Sequence, residues 1–173
     1  MHDETLPGDE LLPDADRVTT REIAIAAPPA AVWPWIAQLG QGRAGFYSHA
    51  WLENLVGCRI VNADRVVPEW QDVRVGDEVR LHPRVALAVR EVRPGRALVL
   101  SGPEPTGRSR LEYDFGWAFV VLPDSGTGGS RLVVRERYRC PTRAARVLVA
   151  VLSGVSGVMS ARMLRGIRDR SVR

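Results

Sequence analysis

Residues 40–54 gather side chains capable of chemistry into one short stretch. Gly40, Gly42 and Gly45 lead into Phe46, Tyr47, His49, Trp51, Glu53 and Asn54. His49 and Glu53 stand one helical turn apart, within reach of a hydrogen bond, and a carboxylate raises a histidine's pKa and fixes its tautomer. Beside a bound substrate the pair would act as a general base. On a solvated helix it is an ordinary surface pair worth about 0.3–0.5 kcal/mol. Tyr47, Trp51 and Asn54 recur at helical spacing and share an adjacent face. The three glycines also spell G-x-G-x-x-G, with Asp64 nineteen residues beyond the last. A dinucleotide site with that fingerprint must follow a strand and open a helix. The preceding residues, 29–39, read as a helix, so the context fails.

Two strands carry the other candidates. In the strand read over 111–122, Tyr113, Phe115, Trp117, Phe119 and Val121 point to one face, because side chains alternate. That face can line a pocket for a flat or greasy ligand, or form plain core against a helix. In the strand over 130–139, Leu132, Val134, Glu136 and Tyr138 share one face, and Arg131, Val133, Arg135, Arg137 and Arg139 the other. The arginine face is too charged to be core and is expected to meet solvent. Glu136 and Tyr138 then look inward. An inward carboxylate needs a partner or a raised pKa. It either orients a polar group on a ligand or sits near a mouth paired with an arginine. The candidate ligand-binding residues are therefore Tyr47, Trp51, Tyr113, Phe115, Trp117, Phe119, Glu136 and Tyr138. His49, Glu53 and Glu136 are candidates for moving protons, and none is assigned a catalytic role.

The elements that must position these residues follow from periodicity and punctuation. Residues 19–26 alternate and read as a first strand. Pro28 and Pro29 stop it, and a short helix follows over 30–39 with Pro34 inside it. A second short helix is expected over 46–56, ended by Gly57, and a loop over 57–76. Strands follow near 77–82, 85–93, 96–101, 111–122 and 130–139. Pro94-Gly95 makes a tight turn, and residues 124–129 make a hairpin connection. Thr142 is an N-cap for one long helix to about Arg170. Leu148, Leu152, Val155, Met159, Met163 and Ile167 recur along it as the stripe expected to face the rest of the fold. Gly154 and Gly157 weaken this helix and allow close approach of a neighbour.

Composition narrows the class. The length suits one domain with a sizeable core. All twenty-four basic residues are arginine. Residues 1–16 hold six acids and no arginine; the rest holds fourteen acids against the twenty-four arginines. The acidic start reads as a disordered tail, and 17–173 as a single domain. The arginines form no basic run and show no aromatic interleaving, so nucleic acid is not an expected partner. Cys58 and Cys140 match no metal spacing and are expected as free thiols in the cytoplasm. His2, His49 and His82 are too scattered for a metal site. No cofactor is expected. No secretory signal stands at the start, and the apolar run between Arg146 and Arg162 is shorter than the roughly twenty residues a membrane span needs.

The order of elements resembles the helix-grip fold of the START and Bet v 1-like superfamily, which includes polyketide cyclase-like proteins. Arg21-Glu22-Ile23-Ala24-Ile25-Ala26-Ala27-Pro28-Pro29-Ala30-Ala31-Val32-Trp33 is similar to that family's opening strand and helix. Gly42-Arg43-Ala44-Gly45-Phe46-Tyr47-Ser48 with Trp51 and Asn54 resembles a bacterial subgroup. So do Trp117-Ala118-Phe119-Val120-Val121-Leu122, Arg131-Leu132-Val133-Val134-Arg135 and the closing Met163-Leu164-Arg165-Gly166-Ile167. His49 stands where that subgroup often has a tyrosine. The resemblance spans about residues 18–170. It implies an α+β fold, a curved antiparallel sheet around a long C-terminal helix with two short helices after the first strand, and a cavity for a hydrophobic small molecule. Superfamily members carry lipids, bind hormones or plant metabolites, or fold and dehydrate polyketide chains. A binding protein, a cyclase- or dehydratase-like enzyme and a non-catalytic interaction module are the three readings it leaves.

Overall fold

The computed structural model describes residues 5–47, 62–82, 85–104 and 113–173, with backbone alone at 103–104. Six strands form one antiparallel sheet: β1 (Arg17–Ile25), β2 (Glu78–His82), β3 (Val85–Arg93), β4 (Ala97–Glu104), β5 (Asp114–Pro123) and β6 (Ser130–Arg139). Their spatial order is β1-β6-β5-β4-β3-β2. The last five strands make a meander, and β1 closes the edge beside β6. Register shifts between β2 and β3 and between β3 and β4 bend this end of the sheet, as bulged strands do. Helix α1 (Pro29–Ala37) follows β1, and α2 (Arg143–Ser171) packs against β1 and α1. This is the α+β helix-grip architecture. The expected helix over 46–56 lies almost wholly outside the described residues.

Local chemistry explains the ends of the elements. Thr142 caps α2, its Oγ1 accepting from the Ala145 amide at 3.0 Å. Residues 124–129 close the β5–β6 hairpin, where the Asp124 amide donates to the Gly129 carbonyl at 2.9 Å. The glycine trio forms a loop after α1, with Gly40 and Gly45 paired as an isolated bridge and all three at positive φ. The Gly40 and Gly45 amides are used within that loop, and a helix precedes it, so the nucleotide fingerprint has neither its context nor those donors.

The inner face of the sheet holds the main core. Leu98, Leu100, Phe119, Val121, Leu132 and Val134 pack there with Val32 and Ile36 of α1 and Met163, Leu164 and Ile167 of α2. The inward stripe of α2 departs from expectation. Leu148, Leu152 and Val155 point outward, and the buried positions of that half are Ala145, Val149, Ser153 and Ser160. Of the expected stripe, Met163 and Ile167 are buried in the core and Met159 is half-buried. The reason is polar: the strand face opposite carries Glu136, and small hydroxylated side chains meet it. By length and composition α2 could cross a membrane, yet its inward stripe is committed to this domain.

The outer face corrects two further expectations. Residues 5–16 are not a free tail in the structure. Leu6 packs with Ala97, Val120 and Val133, and Leu12 is buried. A single 3-10 turn at Asp9–Leu11 brings the Asp9 carboxylate to Arg135 at 2.5 Å and to Arg137 at 3.1 Å. The arginine face of β6 therefore does not meet solvent throughout: Arg135 is only 6% exposed. Gly8 runs so close to β4 that a Cβ there would lie 2.5 Å from Val99 Cγ1. Charge made the segment look unfoldable, but that charge is what docks it.

Candidate functional site

The site begins with strand alternation. Antiparallel register sets Trp117 opposite Glu136 and Phe115 opposite Tyr138, all on the inner face of β5 and β6. Phe115, Trp117 and Phe119 form a continuous aromatic wall, with ring centroids 6.1 Å and 4.7 Å apart. Phe46 joins Trp117 at 6.0 Å from the loop after α1. Tyr138 stacks on Phe115 at 4.8 Å, and Tyr113 reaches Tyr138 at 5.8 Å. Trp117 is nearly buried, and its indole Nε1–H has no hydrogen-bond acceptor among the described residues. A buried indole usually finds one, and an unpaired buried donor costs free energy.

Beside the aromatic wall lies a buried carboxylate. Glu136 is 1% exposed. The hydroxyls of Ser156 and Ser160 donate to its Oε1 at 2.9 Å and 2.7 Å. The Tyr138 hydroxyl donates to Oε2 at 2.9 Å. Arg21 of β1 brings its guanidinium to 4.0 Å from Oε1. Gly157 makes room for it, since a Cβ there would meet the Arg21 Nη2 at 2.6 Å. Glu136 is thus inward, as strand alternation predicted, and it faces an arginine. Burial raises the Tyr138 pKa, and the Glu136 charge raises it further, so the phenol stays protonated and donating.

Tyr47 occupies a different position. It adopts φ 53°, and its amide donates to Asn62 Oδ1 at 2.8 Å. Its hydroxyl accepts from Gln38 Nε2 at 2.9 Å and donates to the Trp35 carbonyl at 3.1 Å. Arg170 lies over its ring at 4.8 Å. Its carbonyl crosses α2 at Gly166, where a Cβ would come within 2.4 Å. Tyr47 thus ties the loop to α1 and α2, and burial raises its pKa.

His49, Trp51 and Glu53 lie outside the described residues. Of the other candidates, Tyr113, Phe115, Trp117, Phe119, Glu136 and Tyr138 come together on one face. Sequence reasoning missed Arg21, Ser156, Ser160 and Gln38. The serines were readable: opposite an inward carboxylate, hydroxyls spaced one turn apart on a helix are its natural donors.

A separate cleft of about 280 Å³ opens between Asp16, Arg17, Cys140, Arg146 and Val149. Burial, with the Asp16 charge second, raises the pKa of the Cys140 thiol, which keeps it protonated and weakly nucleophilic. Among the described residues no three metal-ligating side chains cluster.

Comparison with known proteins places the fold. No protein-family model and no curated protein matches the chain. A structural-genomics protein from Nitrosospira multiformis superposes with a TM-score of 0.56 at 17% identity, covering 91% of this chain and 100% of its own. A protein from Chromobacterium violaceum gives 0.51 at 13% identity, over 88% of this chain and 94% of its own. The di-domain ARO/CYC StfQ of the steffimycin biosynthetic pathway gives 0.51 at 12% identity, over 94% of this chain and 52% of its own. These likenesses show a shared sheet and C-terminal helix, consistent with a Bet v 1-like fold.

Proposed function

We propose that the protein binds a hydrophobic small molecule against the inner face of β5 and β6, with a hydrogen-bond acceptor of the ligand taking the Trp117 indole N–H. The observation that carries this reading is that nearly buried donor, set in an aromatic wall without an acceptor among the described residues. Phe46, Phe115 and Phe119 supply apolar contact, and one convergent polar group fixes orientation, as in small-molecule sites generally. The Glu136 cluster borders the wall and sets its polar end. The protein acts as a cytoplasmic carrier or sequestering protein, with Cys140 a free thiol.

A cyclase or dehydratase would need a group free to move a proton. Among the described residues Glu136 has both oxygens engaged by hydroxyl donors. The likeness to StfQ carries the fold, and binding is the reading the site supports best.

Native mass spectrometry of the chain purified from its own host tests the proposal. The expected result is a co-purified small molecule that Trp117→Ala releases while the protein stays folded. Recovery of the ligand-free mass alone, in protein never exposed to organic solvent, would overturn it.

A further inference from the structure

The first half of α2 turns its apolar side chains outward. Val147, Val151, Val155 and Val158 are at least half exposed, and Leu148 and Leu152 flank them with more than a third exposed. No charged residue interrupts the helix between Arg146 and Arg162, a distance of about 24 Å along the axis at 1.5 Å per residue. Exposed arginines close both ends: Arg143 and Arg146 at one, Arg162 and Arg165 at the other. Arg146 pairs with Asp16 at 3.0 Å. The other three meet no carboxylate among the described residues.

We propose that this face docks the protein on an anionic lipid surface. α2 lies parallel to the membrane plane, its valines in the boundary between headgroups and acyl chains and its arginines among the headgroups. Apolar area and basic charge on one helix face are the two terms that drive such interfacial binding. The charge pattern decides against a second copy as the occupant. Packed on itself through this face, antiparallel or parallel, the helix would set arginine ends against arginine ends. Anionic headgroups neutralise both ends at once. Spanning is excluded by the opposite stripe, where Val149, Ser160 and Ile167 are buried in the domain. The proposal does not rest on the interior ligand.

Flotation of the full chain with vesicles tests it. Phosphatidylcholine vesicles containing phosphatidylglycerol should carry the protein upward, and pure phosphatidylcholine vesicles should not. Salt should weaken the binding. The double variants Val151→Ser/Val155→Ser and Arg162→Gln/Arg165→Gln should each lower partitioning by about tenfold with unchanged circular dichroism. No flotation with the anionic vesicles would overturn the proposal, as would flotation of both variants equal to that of the parent. So would a lipid-free dimer that the valine substitutions abolish.

Discussion

The two faces of β6 bury opposite charges by different means. On the inner face Glu136 is held by three neutral hydroxyls, with Arg21 the one cation beside it among the described residues, at 4.0 Å. On the outer face Arg135 and Arg137 meet the Asp9 carboxylate directly, at 2.5 Å and 3.1 Å. The inner carboxylate is built in by strands and a helix that must form anyway. The outer pair is latched by a short segment with one buried leucine on each side of its turn. The difference shows that an alternating strand can carry charge on both faces when each face is covered by an element bringing complementary groups.

Three substitutions probe that contrast. Glu136→Ala leaves Ser156, Ser160 and Tyr138 without an acceptor and Arg21 without its counter-charge. It should cost about 3–5 kcal/mol in urea unfolding, as for removal of one partner of a buried charged cluster. A loss below about 1 kcal/mol would break the contrast from the inner side. Asp9→Ala, or removal of residues 1–12, should cost less, about 1–3 kcal/mol, because water reaches the edge of that latch. If Asp9→Ala cost more than Glu136→Ala, the ranking of the two faces would be reversed.

Tyr138→Phe should cost about 1 kcal/mol and also change the alkaline behaviour. The Tyr138 and Tyr47 pKa values are raised in the folded protein, chiefly by burial. The neutral phenols are the forms the fold holds. Their stabilisation is complete below about pH 10, the ordinary tyrosine value. It is lost as pH rises beyond, because the unfolded chain releases protons that the folded chain retains. Tm measured against pH should fall above that point, and Tyr138→Phe should flatten the fall by one proton. An unchanged slope would show that Tyr138 titrates alike in both states.

Much of the inner face was legible in the sequence. Alternation in 113–121 and 132–138 placed Phe115, Trp117, Phe119, Glu136 and Tyr138 together, because a pleated strand admits only two faces. The β6 bounds and the Thr142 cap were readable for the same local reasons. What escaped depended on contacts distant in sequence. Leu6, Asp9 and Leu12 looked like tail because their partners, Val133, Arg135 and Arg137, lie more than a hundred residues away. The α2 stripe was misassigned because hydrophobic spacing favoured Leu148, Leu152 and Val155. The burial of Glu136 instead turns Ser153, Ser156 and Ser160 toward the sheet. Tyr47 was read as a candidate ligand-binding residue, and its aromatic type does not reveal that Gln38 and the Trp35 carbonyl engage its hydroxyl.

The smallest stability effect bears on the function itself. Trp117→Phe removes a donor that the described protein leaves unpaired, so relief of about 1–3 kcal/mol should offset the loss of ring area and leave stability little changed or slightly raised. A marked loss in thermal unfolding would mean that the N–H already has an acceptor. The most direct test follows the indole proton itself. The chain has five tryptophans, and their indole N–H resonances can be assigned by single substitutions to phenylalanine. Titration with a panel of carbonyl-bearing polycyclic aromatics and fatty acids should shift the Trp117 resonance downfield for at least one member. The same member should bind the Trp117→Phe variant at least about tenfold more weakly, the equivalent of one hydrogen bond of roughly 1.4 kcal/mol. A panel that leaves the Trp117 proton unmoved, or a ligand that binds the variant as tightly as the parent, would contradict the account.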